Sequence, residues 1–247
     1  MYKKIIYACF AIGILALQNC KSDGGDPLPA AITAPAVTLP SSITGVDGIL
    51  AAISISTKES GTQLIVGSAY AAFYQSKNPL NKVEAGTVLI NTKTATKSDD
   101  NIYFYTASVS EPKGLDYKNQ VLWDVSDNTT NGVPKIYDND GSNFPNMPDV
   151  PENLILFTNQ DKLISWTSSA GADSVILIMT GKSATYKRVF NNTVSTHTIA
   201  AAEIAKMGKG SGKLEIISYK LLLKPFGTKQ YAFIKQCMGI CTKVSIN

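Results

Sequence analysis

Apolar and polar residues alternate in short runs along most of the chain, beginning near residue 46. The runs are rich in Ile, Val, Tyr and Thr and cover residues 49–55, 63–74, 83–91, 102–109 and 121–125. Turn-forming residues separate them, at Gly61, Asn78-Pro79, 98–101, 112–114 and Asn131-Gly132. Short strands with regular turn signals are typical of an antiparallel sandwich or barrel and not of a βαβ layout. The pattern therefore predicts an all-β fold.

A proline-rich segment interrupts this pattern in the middle of the chain. Pro145, Pro148 and Pro151 lie within seven residues of one another. Proline has no backbone N–H to donate, so such a segment is disfavoured inside a sheet. We therefore expect a boundary near Val150, with an N-terminal β domain at residues 45–150 and a second domain at residues 151–247.

The second domain resembles an immunoglobulin-like or fibronectin type III sandwich. Residues 163–167 look like strand B with its core Trp166, residues 173–179 look like strand C, and residues 231–235 and 242–247 resemble the closing F–G hairpin. Residues 221–226 add a strand-like segment that the simple pattern lacks. Residues 198–207 favour a short helix, with Thr198 as a possible N-cap. Together, the strand pattern and this resemblance predict two antiparallel β-sandwich-like domains, the second immunoglobulin-like.

The first nineteen residues have the features of an export signal. Lys3 and Lys4 precede an apolar stretch at residues 5–17. As a helix that stretch would span about 20 Å, which is shorter than the roughly 30 Å core of a bilayer. A removable signal peptide at residues 1–19 fits this length better than a permanent membrane span.

The end of the apolar stretch resembles the lipobox of bacterial lipoproteins, in Leu17-Gln18-Asn19-Cys20. The resemblance implies that Cys20 carries lipid and becomes the mature N-terminus. The prolines that follow indicate a flexible tether at residues 20–44. An ordinary secretory signal is the alternative. Lys21 follows the cysteine, which by the family's sorting pattern favours the bacterial outer membrane, with either the periplasmic face or the cell surface left open.

Charge limits the classes of partner. Removal of Lys3 and Lys4 leaves 23 − 2 = 21 basic residues against 19 acidic residues, a net charge of +2. Nucleic-acid binding would favour a basic face, so we expect no nucleic-acid partner. The expected partners are the membrane, through the N-terminal lipid, and a protein or glycan ligand. No cofactor is predicted.

Four cysteines occur in the chain, and Cys9 would be lost when the signal peptide is cleaved. With Cys20 lipidated, Cys237 and Cys241 remain, and Gly239 between them could form a hairpin turn. A disulfide across that turn suits an exported protein. Free thiols or a metal site are the alternatives.

Several other candidate sites have ordinary structural explanations beside the functional ones. Asp138 and Asp140, in Asp-Asn-Asp-Gly-Ser-Asn, are a weak calcium candidate, although these residue types also form turns. His197 is the only histidine and is expected at the surface, since no Gly-x-Ser-x-Gly motif accompanies it. Residues 180–183, Thr-Gly-Lys-Ser, imitate a phosphate loop, but Ile176 occupies the place of the first required glycine.

Two functional hypotheses remain. The first is a non-catalytic, lipid-anchored envelope protein that binds a ligand or has a structural role. The second is a lipid-anchored polysaccharide hydrolase that uses an unidentified Asp/Glu pair. Trp123 and the neighbouring residues 103–105 could form a sugar-stacking platform or belong to the core. The candidate acids include Glu59, Glu84, Glu111, Glu152, Glu203 and Glu215.

Overall fold

The computed structural model describes residues 43–117, 120–167 and 169–247. The predicted signal peptide, Cys20 and the tether up to residue 42 lie outside these residues. The strands are β1 (Gly48–Glu59), β2 (Thr62–Tyr74), β3 (Lys82–Val83), β4 (Val88–Ile90), β5 (Lys93–Thr94), β6 (Thr96–Lys97), β7 (Ile102–Tyr105), β8 (Val121–Val125), β9 (Ile136–Asp140), β10 (Asn153–Leu156), β11 (Lys162–Ser165), β12 (Ser174–Thr180), β13 (Thr185–Asn191), β14 (Thr196–Ile199), β15 (Gly210–Phe226) and β16 (Lys229–Ile246). One α-helix, α1 (Ala201–Met207), occurs in this part of the chain. The prediction of an all-β, sandwich-like fold is confirmed.

Ten strands of the described chain form one large sheet. Its order is β13-β12-β15-β16-β1-β2-β7-β6, with β10 paired to β16 and β3 paired to β2. The centre of the sheet is the antiparallel hairpin of β15 and β16, which are 17 and 18 residues long. Such strands are about three times the usual length of five to six residues. A hairpin this long can support separate layers along its length.

One edge of β16 pairs with strands from both halves of the chain. Gly48–Thr57 of β1 run parallel to Tyr231–Ile240, and β10 runs parallel to Lys243–Ile246. The predicted boundary near Val150 therefore lies between two strands that share one neighbour. The strand-like segment at residues 221–226, which the immunoglobulin pattern lacked, is the extension of β15 into the N-terminal half.

The C-terminal half is a sandwich with immunoglobulin-like connectivity. β11 and β14 pair in a small sheet, and β13, β12, β15 and β16 form the facing sheet. Strands B and E on one side, with C′, C, F and G on the other, are the division found in immunoglobulin-like domains. Trp166, directly after β11, lies 5% exposed in the core between them.

The N-terminal half places a second layer on the same face of the large sheet. β5, β4, β8 and β9 form a four-stranded sheet whose inward residues include Ile90, Trp123 and Ile136. These pack with Phe73 and Phe233 of the large sheet. The large sheet therefore carries two separate cores on one face, one on each side of the proline-rich segment.

The opposite face of the large sheet carries a third apolar cluster. It includes Ile53, Ile176, Ile217 and Ile234, each at most 1% exposed. The described members of this cluster belong to strands of the large sheet or, like Val46, to the residues just before β1. Gln236 of β16 lies on this face, between Ile53 of β1 and Tyr219 of β15, which are its ladder partners. Its side chain is fully buried, and both of its polar atoms lack a hydrogen-bond partner in the described structure.

The proline-rich segment crosses the hairpin between the two cores. Ser218 of β15 donates its hydroxyl hydrogen to the carbonyl oxygen of Asn146 at 2.9 Å. No strand occurs in residues 141–152, as the prolines predicted. The segment therefore contributes contacts and is not an unpacked spacer.

The prediction of a hairpin turn at Gly239 is wrong. The segments at residues 231–235 and 242–246 belong to the single strand β16, and the turn of the hairpin lies at Gly227 and Thr228. Gly239 is one of the residues that β16 pairs with β1 and β15.

The predicted disulfide between Cys237 and Cys241 is also wrong. Both thiols are free and buried. Four positions along one strand place two Cα atoms about 13 Å apart, whereas a disulfide requires a separation under about 7 Å. Burial raises the pKa of Cys237 to about 12, so its thiol stays protonated.

The helix predicted at residues 198–207 is shorter than expected. It begins at Ala201, and its N-cap is Ala200 in place of Thr198. The Asp161 carboxylate accepts a hydrogen bond from the Ala201 N–H at 2.8 Å, which supplies from another segment the acceptor that a capping side chain would provide.

Candidate functional site

The two aspartates of the calcium candidate each contact a lysine of the central hairpin. Lys224 donates to both carboxylate oxygens of Asp138, at 2.7 and 2.9 Å. Lys235 lies 3.1 Å from an Asp140 carboxylate oxygen. No group of three or more His, Cys, Asp or Glu side chains that could hold a metal occurs among the residues the structure describes. Calcium binding stays a prediction, and these contacts favour a structural role.

Lys235 joins the four-stranded sheet to the central hairpin. Its side chain is 6% exposed, and its ammonium group also donates to the Asp140 and Ser142 carbonyl oxygens. Burial lowers the pKa of Lys235, although the Asp140 carboxylate acts in the opposite direction. Burial also opposes ionisation of Asp140, but the Ser142 N–H and Lys235 outweigh it, so the pKa of Asp140 lies below its usual value. The pair is ionised and fixed in place.

The aromatic residues proposed as a sugar platform belong mainly to the core. Trp123, Tyr103 and Phe104 are at most 5% exposed, and the Tyr103 hydroxyl donates to the buried carbonyl oxygen of Ala85. Their burial leaves no broad ring face for stacking against a sugar. The alternative interpretation, a packing role, is the one that the structure supports.

Most of the candidate glutamates contact lysines. The pairs are Glu84–Lys97, Glu111–Lys93, Glu152–Lys243, Glu203–Lys206 and Glu215–Lys213. A hydrolytic acid needs a carboxyl group whose pKa is raised, which requires an apolar setting or a nearby negative charge. Lys93 lowers the pKa of Glu111, and the backbone N–H groups of Gly61 and Ser60, together with Lys243, lower the pKa of Glu152.

The segment that imitates a phosphate loop is the turn between β12 and β13. The Gly181 N–H donates to the Ala184 carbonyl oxygen at 3.0 Å, closing the turn. A Cβ on Gly181 would lie 2.5 Å from the Met207 carbonyl oxygen, so the end of α1 rests on this glycine. The glycine therefore permits close packing of the helix.

A surface cleft of about 280 Å³ lies beside this turn. One side of its lining comes from residues 184–188, which include Tyr186 and Arg188 of β13. The other side comes from α1, through Glu203, Lys206 and the buried Met207. We refer to this concavity as the β13–α1 cleft.

The only histidine and the only arginine of the chain both contact Tyr186. The Tyr186 hydroxyl lies 2.7 Å from His197 Nε2, and Arg188 Nε donates to the same hydroxyl oxygen at 3.1 Å. Arginine only donates, so the tyrosine proton is available for His197 Nε2. Burial and the positive charge of Arg188 lower the pKa of His197, which favours the neutral ring that this arrangement requires.

A row of aromatic rings connects Tyr186 and His197 to the core. The rings of Tyr186 and His197 are stacked at 6.0 Å, His197 lies 4.9 Å from Phe190, and Phe190 lies 5.7 Å from the core Trp166. The Arg188 guanidinium carbon lies 5.3 Å from the centre of the Tyr186 ring. The orientation of Arg188 is thus tied to the core of the immunoglobulin-like half.

The sequence-based prediction of His197 as an ordinary surface histidine missed this cluster. Strand alternation places Tyr186, Arg188 and Phe190 on one face of β13, and this signal was available. The partner of His197 was not readable, since the spatial proximity of β13 and β14 depends on how the two sheets pack.

No known protein family matches the sequence, and comparison with curated proteins finds no similar one. Within the described residues, no helix is long and apolar enough to cross a membrane.

Proposed function

We propose that this chain is a lipid-anchored protein of the bacterial cell envelope that binds a ligand without catalysing a reaction. The binding role rests on the β13–α1 cleft, in which Tyr186 and Arg188 are held in place by their contacts with each other and with His197. The described part of the lining has a single carboxylate, Glu203, and it is paired with Lys206 at 2.7 Å. Such a lining suits recognition better than acid–base hydrolysis, which uses two carboxyl groups.

The sequence supports the location. The apolar stretch at residues 5–17 ends close to Cys20, and a lipid on that cysteine would hold the protein on the outer membrane. Stable anchoring needs more than one acyl chain, because each buried methylene contributes only about 0.8 kcal/mol. Acylation at both the sulfur and the amino group of Cys20 would meet this requirement.

Metabolic labelling with palmitate tests the anchor. The wild-type chain is expected to take up label and to sediment with membranes, and Cys20→Ala is expected to lose both properties. Cys237→Ala is the matched control, since it removes a buried thiol far along the chain. Label that persists in Cys20→Ala would contradict lipidation at this residue.

A pull-down with a solubilised envelope fraction tests the binding role. The full-length chain in detergent is expected to retain envelope glycan or protein that the Arg188→Gln variant retains less well. Equal retention by both proteins would show that the β13–α1 cleft is not the binding site.

A further inference from the structure

The cationic groups of the β13–α1 cleft differ in the hydrogen-bond donors that they leave free for a ligand. Arg188 uses Nε for the bond to Tyr186, and neither terminal nitrogen makes a hydrogen bond or ion pair within the described chain. A guanidinium held by one nitrogen keeps a planar pair of donors, which matches the two oxygens of a carboxylate or phosphate. Arg188 is therefore ready to bind an oxyanion in a two-pronged manner.

The charge balance of the cleft favours a ligand with one anionic group over a polyanion. Arg188 and Lys206 supply two positive charges and Glu203 supplies one negative charge, while strand alternation puts the Lys187 side chain on the opposite face of β13. Glu203 is a hydrogen-bond acceptor that repels a second anionic group but accepts from a hydroxyl. A ligand with one oxyanion and several hydroxyls satisfies both requirements.

The size of the cleft limits the ligand further. Its volume of about 280 Å³ lies just below the usual range for small-molecule sites, roughly 300–1,000 Å³. This is room for a single sugar unit and not for an extended chain. The Tyr186 ring has Arg188 near its centre and His197 stacked against it, so specificity here rests on polar contacts more than on aromatic stacking.

We propose that the β13–α1 cleft binds an acidic sugar unit, with its carboxylate or phosphate on Arg188 and a ring hydroxyl on Glu203. This inference rests on the proposed binding function and names its ligand class. Lys206 contributes positive charge while keeping its contact with Glu203. The cleft would thereby recognise acidic glycans of the envelope or of its surroundings.

Titration calorimetry of the full-length chain in detergent tests the ligand class. Galacturonate, as a single sugar unit, and glucose 6-phosphate are the two acidic probes, and glucose is the neutral probe. Binding of either acidic probe supports the proposal, and the tighter one identifies the oxyanion. Binding should weaken as salt rises, because the cleft is open to solvent. Glucose binding of equal strength would overturn it.

Two substitutions of Arg188 separate charge from geometry. Arg188→Gln removes the charge, and Arg188→Lys keeps the charge but loses the planar pair of donors. We expect at least about a tenfold loss of affinity for Arg188→Gln and a smaller, measurable loss for Arg188→Lys, since a charge-assisted hydrogen bond contributes roughly 1.5–3 kcal/mol. Full affinity in both variants would overturn the proposal.

Lys135→Gln is the control for net charge, because Lys135 pairs with Asp124 in the N-terminal half. It should bind acidic sugars as the wild type does. The melting temperature of each variant should match the wild type, which shows that affinity is lost through contacts and not through unfolding. If the wild type binds neither acidic probe but still retains envelope material, the ligand class is wrong and the binding function stands. If it retains neither, the binding function fails as well.

Discussion

A Cβ atom on Gly239 would lie 2.4 Å from the carbonyl oxygen of Pro148, so the central strand touches the segment that joins the two halves. No other residue type fits this contact without displacing the backbone of one partner. The glycine that suggested a turn in the sequence is thus required for close packing inside a strand.

Gly239→Ala should lower the free energy of unfolding by about 1–3 kcal/mol, because the added methyl group overlaps the backbone of Pro148. Urea denaturation measures the change. Gly141→Ala is the matched control, since a Cβ there meets nothing within 4 Å. A Gly239→Ala variant as stable as the control would contradict the contact.

Gln236→Leu should raise the free energy of unfolding by about 1 kcal/mol. The Gln236 amide is buried without a hydrogen-bond partner in the described structure, so removing its polar atoms avoids a desolvation cost while keeping the volume similar. Thermal and urea unfolding both report the change. A loss of stability in Gln236→Leu would mean that the amide has a hydrogen-bond partner beyond the described residues.

Asp140→Asn should destabilise the fold by roughly 3–5 kcal/mol, because it leaves the buried ammonium group of Lys235 without its counter-charge. Asp124→Asn is the control. Its partner Lys135 is 56% exposed, and exposed pairs contribute about 0–1 kcal/mol. Similar losses in the two variants would contradict a special role for Lys235. Addition of calcium to the wild type in the same unfolding assay tests the metal hypothesis.

Stability should depend on His197 near neutral pH. The pKa of His197 is lower in the folded chain than its ordinary value of about 6.5, so the unfolded chain binds more protons in this window. The stabilising contribution of neutral His197 to the free energy of unfolding is fully present above about pH 6.5. It is lost as the pH falls from there through the lower pKa of the folded state.

Unfolding measured from pH 8 to pH 5 tests this dependence. His197→Gln, which can still accept a hydrogen bond from Tyr186, should show a flatter profile than the wild type. Superimposable profiles would show that His197 titrates normally. The comparison isolates His197, since the carboxylates that titrate at lower pH are shared by both proteins.

Local patterns predicted much of the fold. Alternation predicted the strands, and the three prolines predicted the break before β10. Trp166 indicated the position of the sandwich core. The parallel pairing of β1 with β16 was not predictable, because it joins residues about 180 positions apart and leaves no local signal. The length of β16 was missed for a related reason. Gly239 favours a turn locally, but pairing on both sides keeps the strand continuous.

The candidate site was predicted less well than the fold. Residue type identified His197 as chemically distinctive, but its role beside the cleft depends on Tyr186 and Arg188, which come from a different strand. The pairing of Asp138 and Asp140 with lysines of the hairpin likewise depends on how the four-stranded sheet packs. Contacts between layers decide such sites, and spacing within a segment does not reveal them.

The shared strand β16 also determines how the protein can be taken apart. A cut at residue 150 would leave an N-terminal fragment in which β1 lacks its parallel neighbour β16. In the C-terminal fragment, the part of the β15–β16 hairpin that packs on the N-terminal core, including Phe233, would be exposed. Neither piece could be transplanted to another protein as a self-sufficient module. The two halves have separate cores, but neither is an independent domain that could be transferred alone between proteins.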